Sequence, residues 1–75
     1  MNQKDFMEFV KKKRLSQNLS QKDLAKSIPI SKTAYSKIEN HLQKPSVFVI
    51  QRLAEILDID LNILKNTSKD IMNYD

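Results

Sequence analysis

Four polar residues within one short stretch could together form a surface that donates hydrogen bonds. They are Lys32, Thr33, Ser36 and Lys37. Positions three and four apart are neighbours on a helix surface, so these side chains share one face if the segment is helical. Lysine ammonium groups and the hydroxyl groups of threonine and serine donate hydrogen bonds. Such a face suits a partner that offers hydrogen-bond acceptors.

The chain lacks most of the residues from which catalytic and metal sites are built. It contains no cysteine and no glycine, and His41 is its only histidine. A nucleophile–base pair, a metal cluster or a phosphate-cradling loop would need such residues. No pair of carboxylates is clearly placed for acid–base work. We therefore expect a protein that is not an enzyme and that binds no metal and no cofactor.

The positive charge is concentrated in the first part of the chain. The net charge is +4 over 75 residues. Residues 1–52 carry 11 basic and 4 acidic side chains, whereas residues 53–75 carry 2 basic and 5 acidic side chains. This asymmetry predicts one side that faces phosphate groups and an opposite side that is turned away from them.

The length of the chain predicts a single domain, residues 1–75, with a core of about residues 5–66 and a C-terminal tail of residues 67–75. No apolar run approaches the length of a membrane span, and no signal-peptide pattern follows Met1. The absence of cysteine fits a reducing compartment. We therefore expect a cytoplasmic protein with no membrane partner.

A helix pair is predicted near the middle of the chain. Ser20 can cap the first helix, with Asp23 three residues later as an imperfect capping box, and Ser31 can cap the second. Pro29 separates the two helices, since proline donates no backbone hydrogen bond. Apolar residues recur at helical spacing on both segments: Leu24, Ala25, Ile28, Tyr35 and Ile38. Helix, short break, helix is the arrangement that places a second helix in the major groove of DNA.

A wider set of residues has the order and spacing of a known family. The set comprises Lys13 and Arg14, Gln21, Leu24 and Ala25, Ile30 and Ser31, Ile38 to Asn40, Pro45 and Ser46, Leu53 and Ala54, and Ile59. In these positions the chain resembles the phage repressor/Cro-type helix-turn-helix family, over roughly Phe6 to Leu64. The resemblance implies an all-α fold, namely a compact lambda-repressor-like helix-turn-helix domain of four to five helices. It also implies sequence-specific binding to double-stranded DNA by a transcriptional regulator, a repressor that acts as a homodimer on an inverted repeat.

The resemblance assigns DNA contacts to the second helix of the pair, which we predict from about Ser31 to His41. In the family, the outer face of this helix reaches base edges, and lysine and threonine can both bond them. The expected base contacts are Lys32, Thr33, Ser36 and Lys37. Gln21, Asn40 and Lys44 match positions that touch DNA phosphates. Phosphate contacts set register and affinity but carry no sequence information directly.

A further pair of residues is expected to act structurally. In the family, an arginine at the position of Arg14 pairs with a glutamate at the position of Glu39, and the pair ties the first helix to the recognition helix. Arginine offers a planar, two-point fork to a carboxylate, which supports the assignment. We therefore predict an ion pair between Arg14 and Glu39.

Two positions depart from the family pattern, which has glycine at such places. Asn18 follows the first helix, and asparagine is the next-best residue for a left-handed helix end. Pro29 stands where a positive φ would suit the turn, and proline cannot adopt one. Proline also disfavours helical dihedral angles at Ile28. The turn must therefore differ locally, with the second helix ending a residue or two early.

Three further helices are predicted outside the pair. The first covers about residues 5–17, with Asp5 as its cap. Its predicted apolar stripe consists of Phe6, Phe9, Val10 and Leu15. The fourth covers roughly residues 47–57 and is capped by Ser46. Asp60 can cap a short fifth helix that begins at the next residue.

Some apolar residues fall where the related pattern is polar or variable. They are Phe48, Val49, Ile56 and Ile63. Exposed apolar surface of this extent suggests a partner, and a homodimer is the natural one because dimers of this fold bind two half-sites about one helical turn apart. Alternatively, the acidic tail could cover this patch through Ile71, Met72 and Tyr74.

A second class of function stays open on the sequence alone. The chain could be a protein-interaction module, such as an antitoxin-like partner of a toxin, with weak or no DNA specificity. The exposed face of residues 31–40 weighs against this alternative, because it carries Lys32 and Lys37 and no acid except Glu39, which we assign inward. The sequence does not separate phage repressors, restriction–modification controller proteins and antitoxins.

Overall fold

The computed structural model describes residues 2–62 and contains four α-helices there. Their bounds are α1 Gln3–Ser16, α2 Gln21–Ser27, α3 Lys32–Glu39 and α4 Val47–Leu57. The predicted all-α fold is confirmed, and the described residues include no strand. The predicted bounds of α4 are correct at both ends, whereas α1 begins earlier than predicted.

Serine residues cap the N-terminal ends of three of these helices, as predicted. Ser20, Ser31 and Ser46 each accept a hydrogen bond from the backbone N–H three residues later, at 2.9, 3.0 and 3.2 Å. At Ser20 the capping box is complete, because the Ser20 N–H also donates to the Asp23 carboxylate at 3.1 Å. Each cap satisfies a backbone donor that has no partner within its own helix.

Two predictions for α1 are wrong. Asn2 caps the helix in place of Asp5, because the Asn2 side chain accepts the Asp5 N–H at 2.8 Å and so draws Asp5 into the first turn. Leu15 is 54% exposed and does not belong to the apolar stripe. Met7 and Arg14 lie on the buried side instead. Near the end of α1 the buried face includes Arg14, and the next residue, Leu15, lies in solvent.

Three helices are followed within two residues by a residue in the left-handed conformation, although the chain has no glycine. These residues are Asn18, His41 and Asp58, with φ values of 58°, 65° and 57°. In each case the N–H of the following residue donates to the carbonyl five residues before it, at 3.1, 2.8 and 2.8 Å. This bond closes the helix end. The prediction for Asn18 is confirmed, and the sequence did not indicate the other two.

The end of α2 differs from the others because Pro29 follows it. The helix ends at Ser27, two residues before the proline, in line with the predicted early end. Ile28 nevertheless has right-handed helical angles (φ −63°, ψ −43°), so the prediction for this residue is wrong. Its N–H donates to the Leu24 carbonyl at 3.1 Å, and its side chain is fully buried. The hydrogen bond and the burial of the side chain both favour the helical conformation. The peptide bond between Ile28 and Pro29 is cis.

The core lies between the four helices and takes side chains from each of them. Its apolar members are Phe6, Met7, Val10, Leu24, Ala25, Ile28, Tyr35, Ile38, Val49, Ile50, Leu53, Ala54, Leu57 and Ile59. Tyr35 is fully buried among them. Because α3 packs against both α1 and α2, this core determines where the outer face of α3 points.

One residue of the predicted dimer interface is not accessible to a partner. Val49 is 5% exposed and belongs to the core of its own chain, so its prediction as an interface residue is wrong. Ile56 is partly buried against the same core, and Phe48 is 54% exposed. Ile63 lies outside the described residues, as does the tail of residues 67–75 that was considered as a cover for this patch.

The predicted fifth helix is described only at its start. The Asp60 side chain accepts the Asn62 N–H at 2.9 Å, as a helix cap would, and a turn begins at Leu61. The remaining residues of that helix lie outside the described part of the chain. Among the described helices, none is long and apolar enough to cross a membrane.

Candidate nucleic-acid interface

The two sides of α3 have different surroundings, because the helix packs against α1 and α2 and leaves its other side exposed. Tyr35, Ile38 and Glu39 are buried on the inner side. The outer side holds the four residues predicted to contact bases: Lys32, Thr33 and Lys37, which are exposed, and Ser36, which is half-buried. The structure therefore brings the predicted set together on one accessible helix face.

Ser36 and Asn40 adjoin each other near the end of this face. The Asn40 side-chain amide donates to the Ser36 hydroxyl at 3.3 Å. Asn40 is exposed and caps the C-terminal end of α3. A residue predicted to contact bases thus lies beside a residue predicted to contact phosphate.

The outer face of α3 carries positive charge. The helix has no acidic residue in its first turn, and its one acid, Glu39, is 3% exposed. The ammonium groups of Lys32 and Lys37 are therefore not offset by an exposed carboxylate of their own helix. A surface with this charge attracts a polyanion.

Glu39 accepts four hydrogen bonds inside the protein. Arg14 donates two of them, from Nε to Oε2 at 3.0 Å and from Nη2 to Oε1 at 2.9 Å. The Tyr35 hydroxyl donates to Oε2 at 2.6 Å, and the Gln21 amide donates to Oε1 at 3.0 Å. A carboxylate has about four acceptor sites, so this buried charge is fully satisfied.

The same donors determine the protonation of the network. Burial alone would raise the pKa of Glu39, but the hydrogen bonds from Arg14, Tyr35 and Gln21 and the positive charge of Arg14 outweigh it and hold that pKa below its usual value of 4.5. The hydrogen bond to Glu39 raises the pKa of Arg14. Burial, and after it the bond to Glu39, raises the pKa of the Tyr35 hydroxyl. At neutral pH the network is therefore an ion pair with a neutral tyrosine.

Two of the residues that bond Glu39, namely Tyr35 and Gln21, were not predicted to do so from the sequence. Tyr35 and Glu39 are four residues apart on one helix, a spacing that permits their contact. Gln21 is expected at a phosphate, and its amide nitrogen donates to Glu39. This bond joins the start of α2 to the end of α3. No local pattern indicates it, because its partners are 18 residues apart.

The family of the chain follows from a comparison with known families. The model of the helix-turn-helix family matches residues 10–64, which include the whole of α2, α3 and α4. The chain belongs to the helix-turn-helix family. The resemblance stated from the sequence is thereby confirmed, and α2 and α3 are the helix pair of the motif.

This helix-turn-helix protein is similar to two curated proteins. The ImmF control region 10 kDa protein of Bacillus phage phi105 is 36% identical over 63 residues, which cover 84% of this chain and 70% of the relative. The uncharacterized HTH-type transcriptional regulator YqaF of Bacillus subtilis (strain 168) is 36% identical over 70 residues, which cover 83% of this chain and 92% of the relative. No solved structure matches the chain significantly.

The loop after α3 of the helix-turn-helix protein is attached to α1. His41 Nε2 lies 2.8 Å from a carboxylate oxygen of Glu8. Lys44 is exposed in the same loop, and Pro45, which follows it, is fully buried. Both ends of the loop that carries Lys44 are therefore fixed to the body of the protein. The contact between Glu8 and His41 is another that the sequence did not indicate.

The chemistry available at this helix-turn-helix surface is the donation of hydrogen bonds. The outer face of α3 offers ammonium and hydroxyl donors, which suit the acceptors of base edges and phosphates. Within residues 2–62, no group of three or more histidine, cysteine, aspartate or glutamate side chains could hold a metal ion.

Proposed function

We propose that this protein is a transcriptional regulator that binds double-stranded DNA sequence-specifically, with α3 in the major groove. One observation carries the proposal: Lys32, Thr33 and Lys37 are exposed on α3, whereas the one acid of the helix is buried. The major groove admits an α-helix, and in helix-turn-helix proteins the second helix of the pair enters it. Membership of the helix-turn-helix family supports the same function.

The proposed base contacts are Lys32, Thr33, Ser36 and Lys37. Lysine donates to O6 and N7 of guanine, and threonine bonds a base edge or packs against a thymine methyl group. Ser36 is half-buried and accepts a bond from Asn40, which leaves its hydroxyl hydrogen and a second lone pair for a base. The two exposed lysines therefore provide most of the proposed base recognition.

The proposed phosphate contacts are Gln21, Asn40 and Lys44, which lie at the start of α2 and just after α3. The Gln21 amide nitrogen has two hydrogens, and one of them is directed to Glu39. The second remains for a phosphate oxygen. Contacts of this kind fix the register of α3 on the duplex without reading its sequence.

The relatives favour control of transcription over other uses of DNA binding. One is described as a control-region protein of a phage, and the other as an HTH-type transcriptional regulator. We extend that role to this chain and propose that it acts as a repressor, with residues 1–75 forming one domain.

We also propose that the repressor binds DNA as a homodimer. The two copies contact each other through a groove along α4. The groove has a volume of about 560 Å³. Half of its lining is apolar and half is polar: the apolar residues are Phe48, Ala54, Ile59 and Leu61, and the polar residues are Gln51, Arg52, Glu55 and Asp60. Phe48 is a large apolar side chain that is 54% exposed. A two-fold axis brings the same patch of two copies together, so Phe48 of each copy can enter the groove of the other. Such dimers bind inverted repeats whose half-sites lie about one helical turn apart.

Charge reversal on α3 tests the proposed DNA contact. Lys37→Glu should weaken binding to a specific duplex by at least about tenfold, because it places a carboxylate against the DNA. Lys12→Glu changes the net charge equally at an exposed position of α1, and it should weaken binding much less. Equal losses in fluorescence anisotropy would contradict a DNA-reading role for α3 and would favour the protein-interaction alternative.

A further inference from the structure

A side chain of α4 completes the C-terminal end of α2. Arg52 is half-buried, and its Nη2 donates to the Ser27 carbonyl at 2.8 Å while its Nε donates to the Ile28 carbonyl at 3.1 Å. Its Nη1 donates to the Glu55 carboxylate at 2.9 Å. One guanidinium group therefore joins α4 to the two residues that precede the turn between α2 and α3.

These two carbonyls lie at the one end, among the four described helices, that no left-handed residue closes. The other three helices are followed, within two residues of their last residue, by Asn18, His41 and Asp58, each with a positive φ. Pro29 follows α2, and proline neither adopts a positive φ nor donates a backbone hydrogen bond. The last carbonyls of a helix need donors from elsewhere. Arg52 supplies donors to two of them, the carbonyls of Ser27 and Ile28, and its positive charge interacts favourably with the C-terminal end of the helix dipole.

The end of α2 determines where α3 begins. Residues 28–31 are the whole connection between the two helices. Within it, the Ile30 N–H donates back to the Ala25 carbonyl at 2.8 Å, so the turn is bonded to α2. A displacement of the end of α2 would therefore move Lys32 and the outer face of α3 with it.

We infer that Arg52 is a positioning residue for DNA recognition, which holds the turn of the helix-turn-helix in place from α4. This inference rests on the proposed function, because the position of α3 affects binding only if α3 reads DNA. Glu55 bonds the third guanidinium nitrogen from an exposed position, and an exposed ion pair contributes little to stability. Glu55 can therefore be changed without loss of the two carbonyl contacts.

Amide hydrogen exchange tests the positioning without DNA. Arg52→Met removes the guanidinium donors, and Arg52→Lys keeps the charge but not the planar fork. In Arg52→Met we expect the Ile30 amide to exchange at least about tenfold faster, with the amides of α1 unchanged, because the opening is local. Arg52→Lys should restore part of this protection. Glu55→Gln is the matched control and should leave the exchange of Ile30 at the wild-type rate.

An unchanged Ile30 rate in folded Arg52→Met would overturn the inference. If Arg52→Met does not fold, the same comparison in Arg52→Lys decides the matter. Faster exchange confined to the turn supports the inference, and uniform acceleration or no acceleration overturns it.

DNA binding by the same variants gives the second readout. Arg52 and Glu55 also line the groove along α4, so the comparison uses a duplex with a single half-site, which one copy of the protein can bind. The ratio of the affinity for this duplex to the affinity for random duplex should fall at least about fivefold in Arg52→Lys, which has the charge of the wild type. Glu55→Gln should keep the wild-type ratio. An unchanged ratio in Arg52→Lys would overturn the role of Arg52 in recognition. If the wild-type protein itself prefers no sequence, the proposed function fails, and the exchange result still decides whether Arg52 holds the turn.

Discussion

Arg14 on α1 and Glu39 at the end of α3 form a two-point ion pair, although they are 25 residues apart. Their side chains are 8% and 1% exposed. The remaining guanidinium nitrogen, Nη1, donates to the Leu19 carbonyl at 2.7 Å, just before α2. One arginine thus joins α1, the approach to α2 and the end of α3. The position of the proposed DNA-reading helix therefore depends on this pair.

Loss of the arginine should destabilise the protein strongly, because it would leave a buried carboxylate without its cation. Arg14→Met should lower the free energy of unfolding by about 3–5 kcal/mol in urea denaturation at neutral pH. Adding Glu39→Gln to this variant removes the unpaired charge and should recover part of the loss. A loss below about 1 kcal/mol for Arg14→Met would place the pair among weak surface contacts and contradict its buried geometry.

Glu39 should also make stability depend on pH on the acid side. Its pKa in the folded protein lies below the ordinary value of 4.5, so the unfolded chain binds this proton more readily. The stability that Glu39 contributes is present above that ordinary pKa and is lost as the pH falls through the folded pKa. The difference in unfolding free energy between wild type and Glu39→Gln should therefore shrink as the pH falls below 4.5. A difference that stays constant over this range would show that Glu39 is not held ionised.

Lys44 and Lys37 should weaken DNA binding in different ways. Lys44→Ala should weaken binding to all duplexes alike and reduce the slope of log affinity against log salt by about one, because it removes a phosphate contact. Lys37→Ala should cost about 1–3 kcal/mol and relax the preference at one base position. Anisotropy titrations with a specific duplex and its single-base variants, over a range of salt, separate the two effects. A changed base preference in Lys44→Ala would reverse its assignment.

Phe48→Glu should shift the protein toward a monomer in sedimentation velocity, because it places a charge in the proposed apolar contact. Leu15→Glu is the matched control, since both side chains are 54% exposed and Leu15 lies on α1. It should leave the assembly as in the wild type. If Phe48→Glu sediments like the wild type, the interface between copies does not include this groove. Val49 is not a suitable probe, because it belongs to the core.

The starts of α2, α3 and α4 were predictable because they depend on local contacts. Ser20, Ser31 and Ser46 each bond an N–H only three residues away, so the pattern appears directly in the sequence. The apolar run of residues 47–50 was less informative. Every member of it is apolar, so periodicity could not show that Val49 faces the core and Phe48 faces solvent.

The contacts that hold the helix pair in place were not predictable from local patterns. Arg52 bonds the Ser27 carbonyl across 25 residues, and Gln21 bonds Glu39 across 18. Spacing rules describe neighbours on one element, whereas these bonds depend on how separate helices pack. The pair of Arg14 and Glu39 was expected from the family resemblance and from no local pattern. The outer face of α3 was predictable because a single helix determines it.

Selection of bound sites from a random duplex pool, at near-physiological salt, tests sequence-specific recognition most directly. We predict enrichment of an inverted repeat with half-sites about one helical turn apart, and loss of preference at one base position when the selection is repeated with Lys37→Ala. A pool without enrichment, with only weak and salt-sensitive binding, would contradict sequence-specific recognition by α3.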